Sequence, residues 1–164
     1  MKNIAEKKSS ITAQDVANYF IAFANVTGDL LTNLKLQKLV YYAQAWNIAV
    51  NHTLLFDDDF EAWVHGPVIR ELYFKFKDFG SKPIIDETLN DKTLTDFEQK
   101  LPKASLVIFD DIKEVYFPQT AYRLEQMTHE EMPWLRARKG LQPHEPSSNI
   151  IEKSWMEEFY TSLV

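Results

Sequence analysis

Residues 32–50, TNLKLQKLVYYAQAWNIAV, constrain the chain more than any other stretch. Thr32 has the chemistry of an N-cap. Behind it Leu36, Leu39, Val40, Ala43, Trp46 and Val50 recur at helical spacing, with Lys35, Lys38 and Gln44 expected off that stripe. A stripe this wide has to be covered from more than one side, which predicts a helix near the centre of the fold. A second helix precedes it: Thr12-Ala-Gln-Asp15 has capping-box spacing, Val16, Phe20, Phe23 and Ala24 share a face, and Gly28 closes it.

The 164 residues fit one domain, and 22 aromatics supply bulky core material. The reading is a mainly α, single compact multi-helix domain over residues 12–164, with a flexible N-terminus over 1–11. At most a short strand pair is expected, near residues 60–65 and 149–152. Phe60-Glu-Ala-Trp-Val64 alternates as an extended segment does. Gly66-Pro67 then reads as a stiff corner, with Pro67 in the first turn of a helix running to Gly80. Residues 81–103 read as loop with one short helix. Residues 105–127 read as two helices broken near Phe117-Pro118. Thr128-His-Glu-Glu131 and Ser154-Trp-Met-Glu157 both carry capping spacing, and the segment 140–148 reads as exposed loop.

The formal net charge of −6 opposes phosphate backbones, and positive charge gathers only at Lys7-Lys8 and from Arg136 to Lys139, so nucleic acid is not the expected partner. A helix-turn-helix reading, with Lys35 and Lys38 near phosphates, is disfavoured on the same ground. No apolar run approaches the ~20 residues that span a bilayer. With no cysteine and a charged N-terminus, a cytoplasmic protein is expected.

Among chemical candidates, His65 could carry protons with Glu61 or Asp59 orienting it, and His129 has similar standing. Both read more simply as groups that hold a corner and a helix start. The four histidines are scattered without metal-ligand spacing, no nucleophile elbow occurs, and the four isolated glycines make no phosphate cradle, so no metal and no cofactor is expected. Asp110-Asp111-Ile-Lys113-Glu114 has nuclease-type residues but reads as a solvated helix face.

Three ordered stretches, LTNLKLQKLVYYAQAW (31–46), FEAWVHGPVIRELY (60–73) and LEQMTHEEMPWLRAR (124–138), resemble the Panacea domain, the SocA-like antitoxin family, over roughly residues 12–160. The resemblance implies a helical domain that neutralises a cognate protein toxin by direct binding, the toxin being encoded by an adjacent gene, and it implies no enzyme activity. It casts Leu36, Gln37, Lys38, Tyr42, Trp46, Trp63, His65, Gly66, Pro67, Thr128, His129, Pro133 and Trp134 as organisers of the scaffold. The acidic residues Asp57, Asp58, Asp59, Asp86, Glu87 and Asp91 are the expected toxin-facing positions. Alternatives are a hydrolase or nuclease using His65 and His129 with nearby carboxylates, a DNA-binding autorepressor, and an adaptor that delivers a toxin to a protease.

Overall fold

Thr12 and Asp15 close a reciprocal capping box that starts α1 (Ala13–Thr27), and Gly28 ends it in the left-handed conformation. The computed structural model describes residues 10–164. The sequence readings at Lys7-Lys8 and over 1–9 lie outside the described residues, and Ile11, placed in the flexible N-terminus from sequence, is buried in the core.

Helix α2 (Asn33–Asn51) forms the hub, capped by Thr32 as its sequence predicts. It is covered on nearly every side: by α1, by α5 (Lys103–Asp111) and α6 (Ala121–His129), and most extensively by α8 (Lys153–Thr161). The stripe reading therefore errs at three positions. Lys38 and Gln44, expected to face solvent, are 1% and 0% exposed, whereas Val50, expected on the stripe, is 46% exposed. Enclosure forces the polar side chains of α2 to find partners inside, because a buried group left unpaired loses its water without return. Four of them do, mostly on neighbouring backbone. Asn33 donates to Tyr73 O, Gln37 accepts from Ile69 N, Gln44 bridges Phe56 O and Leu55 N, and Asn47 donates to Thr53 O and accepts from Ser105 Oγ.

The chain leaves α2 through His52, a C-cap in the left-handed region. It then forms β1 (Phe60–Trp63) and β2 (Gly66–Val68), an antiparallel hairpin to which β3 (Ile150–Ile151) adds on the far side of β1. The pairing of β1 with β3 is the strand pair expected from sequence. Strand β2 corrects the reading of Pro67, which sits opposite Ala62 in an edge strand, where proline needs no N–H for the ladder, and not in a helix. Helix α3 is accordingly short (Arg70–Lys75), followed by a 3-10 turn (Lys77–Phe79).

Helix α4 (Asp91–Lys100) packs on α1. After α5 the chain makes one π-helical turn (Ile112–Tyr116) closed by Phe117 N–H donating to Ile112 O at 2.9 Å, then breaks at Pro118 as expected. Helix α7 (Met132–Ala137) follows α6. Neither later capping signature caps a helix. Thr128 lies inside α6, its hydroxyl donating back to Glu125 O, and α7 and α8 begin after Glu131 and Glu152 without side-chain caps.

At the β1–β2 turn, Gly66 has φ +104, and a Cβ there would sit 2.5 Å from Lys38 Cε and 2.9 Å from Thr128 Oγ1. Two constraints, a backbone angle that L-residues avoid and the absence of room, coincide at this residue. Gly66→Ala is expected to cost about 2–4 kcal/mol in chemical denaturation. Lys38→Ala in the same chain should recover the part due to crowding by Lys38 and leave the parts due to Thr128 and φ.

Candidate functional site at the hairpin corner

Four segments meet beneath Gly66. Helix α2 supplies Lys38, the hairpin supplies Trp63 to Pro67, the end of α6 supplies Glu125, Thr128 and His129, and α7 supplies Trp134. Lys38 reaches its position because Gly66 has no side chain, and Thr128, 1% exposed, closes the other wall. Trp134 donates from Nε1 to Trp63 O at 2.9 Å and stacks on His129 with ring centres 4.0 Å apart and 17° between planes. Pro133 is buried in the first turn of α7, where a proline sacrifices no helical hydrogen bond.

The two histidines flagged from sequence share one carboxylate. His65 Nδ1 lies 2.7 Å from Glu125 Oε1, and His129 Nε2 lies 3.9 Å from the same oxygen. Glu61 and Asp59, expected to orient His65, are engaged elsewhere: Glu61 takes a two-pronged contact from Arg70 and the Trp63 indole N–H, and Asp59 pairs with Lys153. Glu125 is the residue that sequence reading missed. It is 60 positions from His65, and no local pattern connects them.

The surroundings fix the protonation chemistry. Lys38 Nζ is fully buried without a hydrogen-bond partner among the described residues, and burial pulls its pKa down to about 7 against a smaller opposing pull from Glu125. Burial likewise lowers the pKa of His129, partly offset by Glu125 and a hydrogen bond with the Val64 backbone, while Lys38 and His65 push it further down. His129 Nε2 is also buried without a hydrogen bond. His65, by contrast, is 62% exposed in its side chain. It borders an open depression of about 480 Å³ with Trp63, Tyr73, Arg70 and Ser147, and neither His129, Glu125 nor Lys38 lines it. Of the convergent groups, only His65 reaches this depression.

A second buried network ties α2 to α8. Tyr42 and Tyr160 donate to Glu131 Oε1 at 2.6 and 2.9 Å, Tyr42 stacks on Tyr116 at 4.1 Å, and Trp46 Nε1 donates to the Tyr116 hydroxyl at 2.7 Å. Burial raises the pKa of Glu131 despite both tyrosines favouring its charged form. Leu36 and Gln37 are wholly buried on the same helix.

The remaining sequence candidates separate. Asp58 and Asp59 line a shallow depression with Glu61 and Arg70, with Asp57 exposed beside them. Asp86 accepts from Thr88 N and Oγ1 within its own turn, Glu87 is exposed, and Asp91 begins α4, whose surface depression with Asp15 and Asp96 is a different one. The positive cluster at 136–139 is largely spent internally. Arg138, 5% exposed, donates to Ala62, Gln142 and Glu145 carbonyls and clamps the 140–148 loop to β1, while Arg136 pairs with Glu158. Lys35 donates to Phe117 O, and with Lys38 sealed inside, α2 presents no basic face to a DNA groove. Among the described residues no group of three or more histidine, aspartate or glutamate side chains could hold a metal ion, and no helix is long and apolar enough to cross a membrane.

The profile of a family described as "Antitoxin SocA-like, Panacea domain" matches residues 36–135, a span containing Lys38, the hairpin, Glu125 and Trp134. Antitoxin SocA of Caulobacter vibrioides (strain NA1000 / CB15N) is 32% identical over 95 residues, covering 58% of this chain and 50% of the relative, so the match spans about half the length of that curated protein. No solved structure matches.

Above pH 7 the folded protein sheds the Lys38 proton that the unfolded chain retains to about pH 10.5, so stability rises with pH across that interval. Near its top the trend reverses, because buried Tyr42 and Tyr160 keep their protons when the unfolded chain loses them. Lys38→Met is expected to flatten the rise and to stabilise the protein by about 1–3 kcal/mol near pH 6, measured as urea midpoints across a pH series.

Proposed function

The chain belongs to the SocA-like antitoxin family, Panacea domain, and from that premise we propose that it neutralises a protein toxin, encoded by an adjacent gene, by binding it directly in the cytoplasm. The observation that carries this reading is the inward commitment of the chemically able groups. Lys38 is closed over by the hairpin, His129 is stacked under Trp134, and His65, the exposed imidazole of this corner, is paired to Glu125. Such an arrangement favours a rigid scaffold whose outer surface does the recognising. The name of the relative, an antitoxin, supports the same role.

In this reading the family-motif residues, from Leu36 in α2 to Trp134 in α7, hold the scaffold. The surface they support carries the acidic excess of the chain. Occlusion of a toxin surface of about 800 Å² per partner is within reach of a domain this size. The hydrolase or nuclease alternative fits less well, since the depression next to His65 receives neither His129 nor Glu125. The autorepressor alternative lacks a basic face, as Lys35, Arg136 and Arg138 are engaged within the molecule.

The test is titration of the purified toxin with the purified chain. Toxin activity is expected to fall linearly to an endpoint at a fixed stoichiometry, and His65→Ala is expected to leave that endpoint unchanged. Wild-type protein that protects cells yet leaves purified toxin fully active would overturn direct occlusion and favour delivery of the toxin to a protease.

A further inference from the structure

On the side of α2 away from the hairpin, the π-helical turn opens a groove of about 300 Å³. Its floor is Trp46, Ile108 and Ile112, and its walls are Val50, Val115 and Val164, which are 46%, 53% and 79% exposed. We propose that this groove is the docking site for an amphipathic helical segment of the toxin, with apolar side chains seated between Val50 and Val115 and lysine or arginine residues along its margin. The proposal rests on the antitoxin reading above and locates the contact at a surface other than the acidic segments 57–59 and 86–91.

Three observations select this occupant. The floor is fixed in advance: Trp46 donates to the Tyr116 hydroxyl, and Tyr116 stacks on Tyr42, so the groove does not need to be ordered on binding. The backbone is altered at this point, for a π turn widens the helix and re-aims Val115 and Tyr116, and such turns concentrate at functional sites. The charge beside the apolar floor has one sign. Asp111 lines the groove, Glu114 is exposed on the next turn, and neither forms an ion pair among the described residues, whereas Lys113, between them in sequence, is turned to Asp110 and the Tyr19 hydroxyl. An acidic rim around apolar anchors complements a basic amphipathic helix and repels anionic lipid and nucleic acid. It equally disfavours a second copy of this chain, whose net charge is −6. The groove is too small for a folded face, but it suits the i, i+3/i+4, i+7 anchors of one helix.

Val115→Lys tests the proposal, because the side chain is half-exposed and the change leaves the core intact, which the thermal midpoint verifies. With the adjacent gene's product as partner, Val115→Lys and Asp111→Lys are expected to weaken binding roughly 30-fold or more and several-fold respectively. Hydrogen exchange in the wild-type complex should slow in residues 107–116. If Val115→Lys binds and neutralises like wild type, the groove is not the contact while the antitoxin reading stands. If the wild-type chain does not bind that product at all, the antitoxin reading falls, and the groove is judged by a synthetic lysine-flanked amphipathic helical peptide. A shift of the Trp46 indole resonance on its addition, absent with a glutamate-flanked peptide of the same apolar sequence, supports the groove. Equal response to both peptides, or response to neither, overturns it.

Discussion

Enclosure of α2 is the constraint on which the rest depends. A helix covered by α1, α5, α6 and α8 cannot leave amide and indole groups unpaired without losing roughly 1–3 kcal/mol for each. Its polar side chains resolve this mostly by bonding to the backbone of the segments packed against it. Gln44 holds the turn at 55–56, Asn47 holds residue 53 and the start of α5, and Gln37 and Asn33 hold α3 at its N-cap Ile69 and at Tyr73 within it. The hub thus specifies loop positions as well as helix packing, and it does so with groups that an apolar core could not supply. Lys38 is the exception, a buried amine with no hydrogen bond, tolerated because Gly66 lets the hairpin close over it and because burial drives it toward its neutral form.

Local chemistry was legible in the sequence wherever a single segment decides the outcome. The Thr12–Asp15 box, the Thr32 cap, the length of α2 and the break at Pro118 all depend on neighbours a few residues away. What failed did so for nonlocal reasons. Gly66-Pro67 fits a helix start and an edge strand equally well, and the choice is made by pairing with Ala62 and by the space taken by Lys38. Thr128 and Ser154 have the spacing of caps but fall inside helices, where the same spacing recurs by the periodicity of the helix itself. Charge misled at Lys38 and Arg138, since a single sequence places cations outside by default. Arg138 lies buried because its guanidinium finds backbone carbonyls of the 140–148 loop.

The corner cluster illustrates how residue type alone overstates function. Lysine, two histidines and glutamate within one small region have the composition of an acid–base site. Their geometry differs from one: the two imidazoles flank the same carboxylate, the buried ring is stacked, and the depression bordered by His65 is lined by neither His129 nor Glu125. Glu125 is therefore better understood as a tie between the hairpin and α6, and His129 with Trp134 as the joint that carries this tie into α7.

Division of labour between interior and surface follows from this construction. The residues that fix the frame, among them Gln44, Asn47, Tyr42 and Trp134, point inward, and the side chains of Val50, Asp111 and Val115, which border the π-turn groove, take no part in the network around α2. Substitution at the second group changes the apolar footprint and the sign of its rim without touching the network around α2, because effects at sites that share no partners add independently. A helical domain built in this way can exchange one protein partner for another while its fold remains the same. On the proposal above, the reason is that stability is settled around the hub and the choice of partner at the groove bordered by Val50 and Val115.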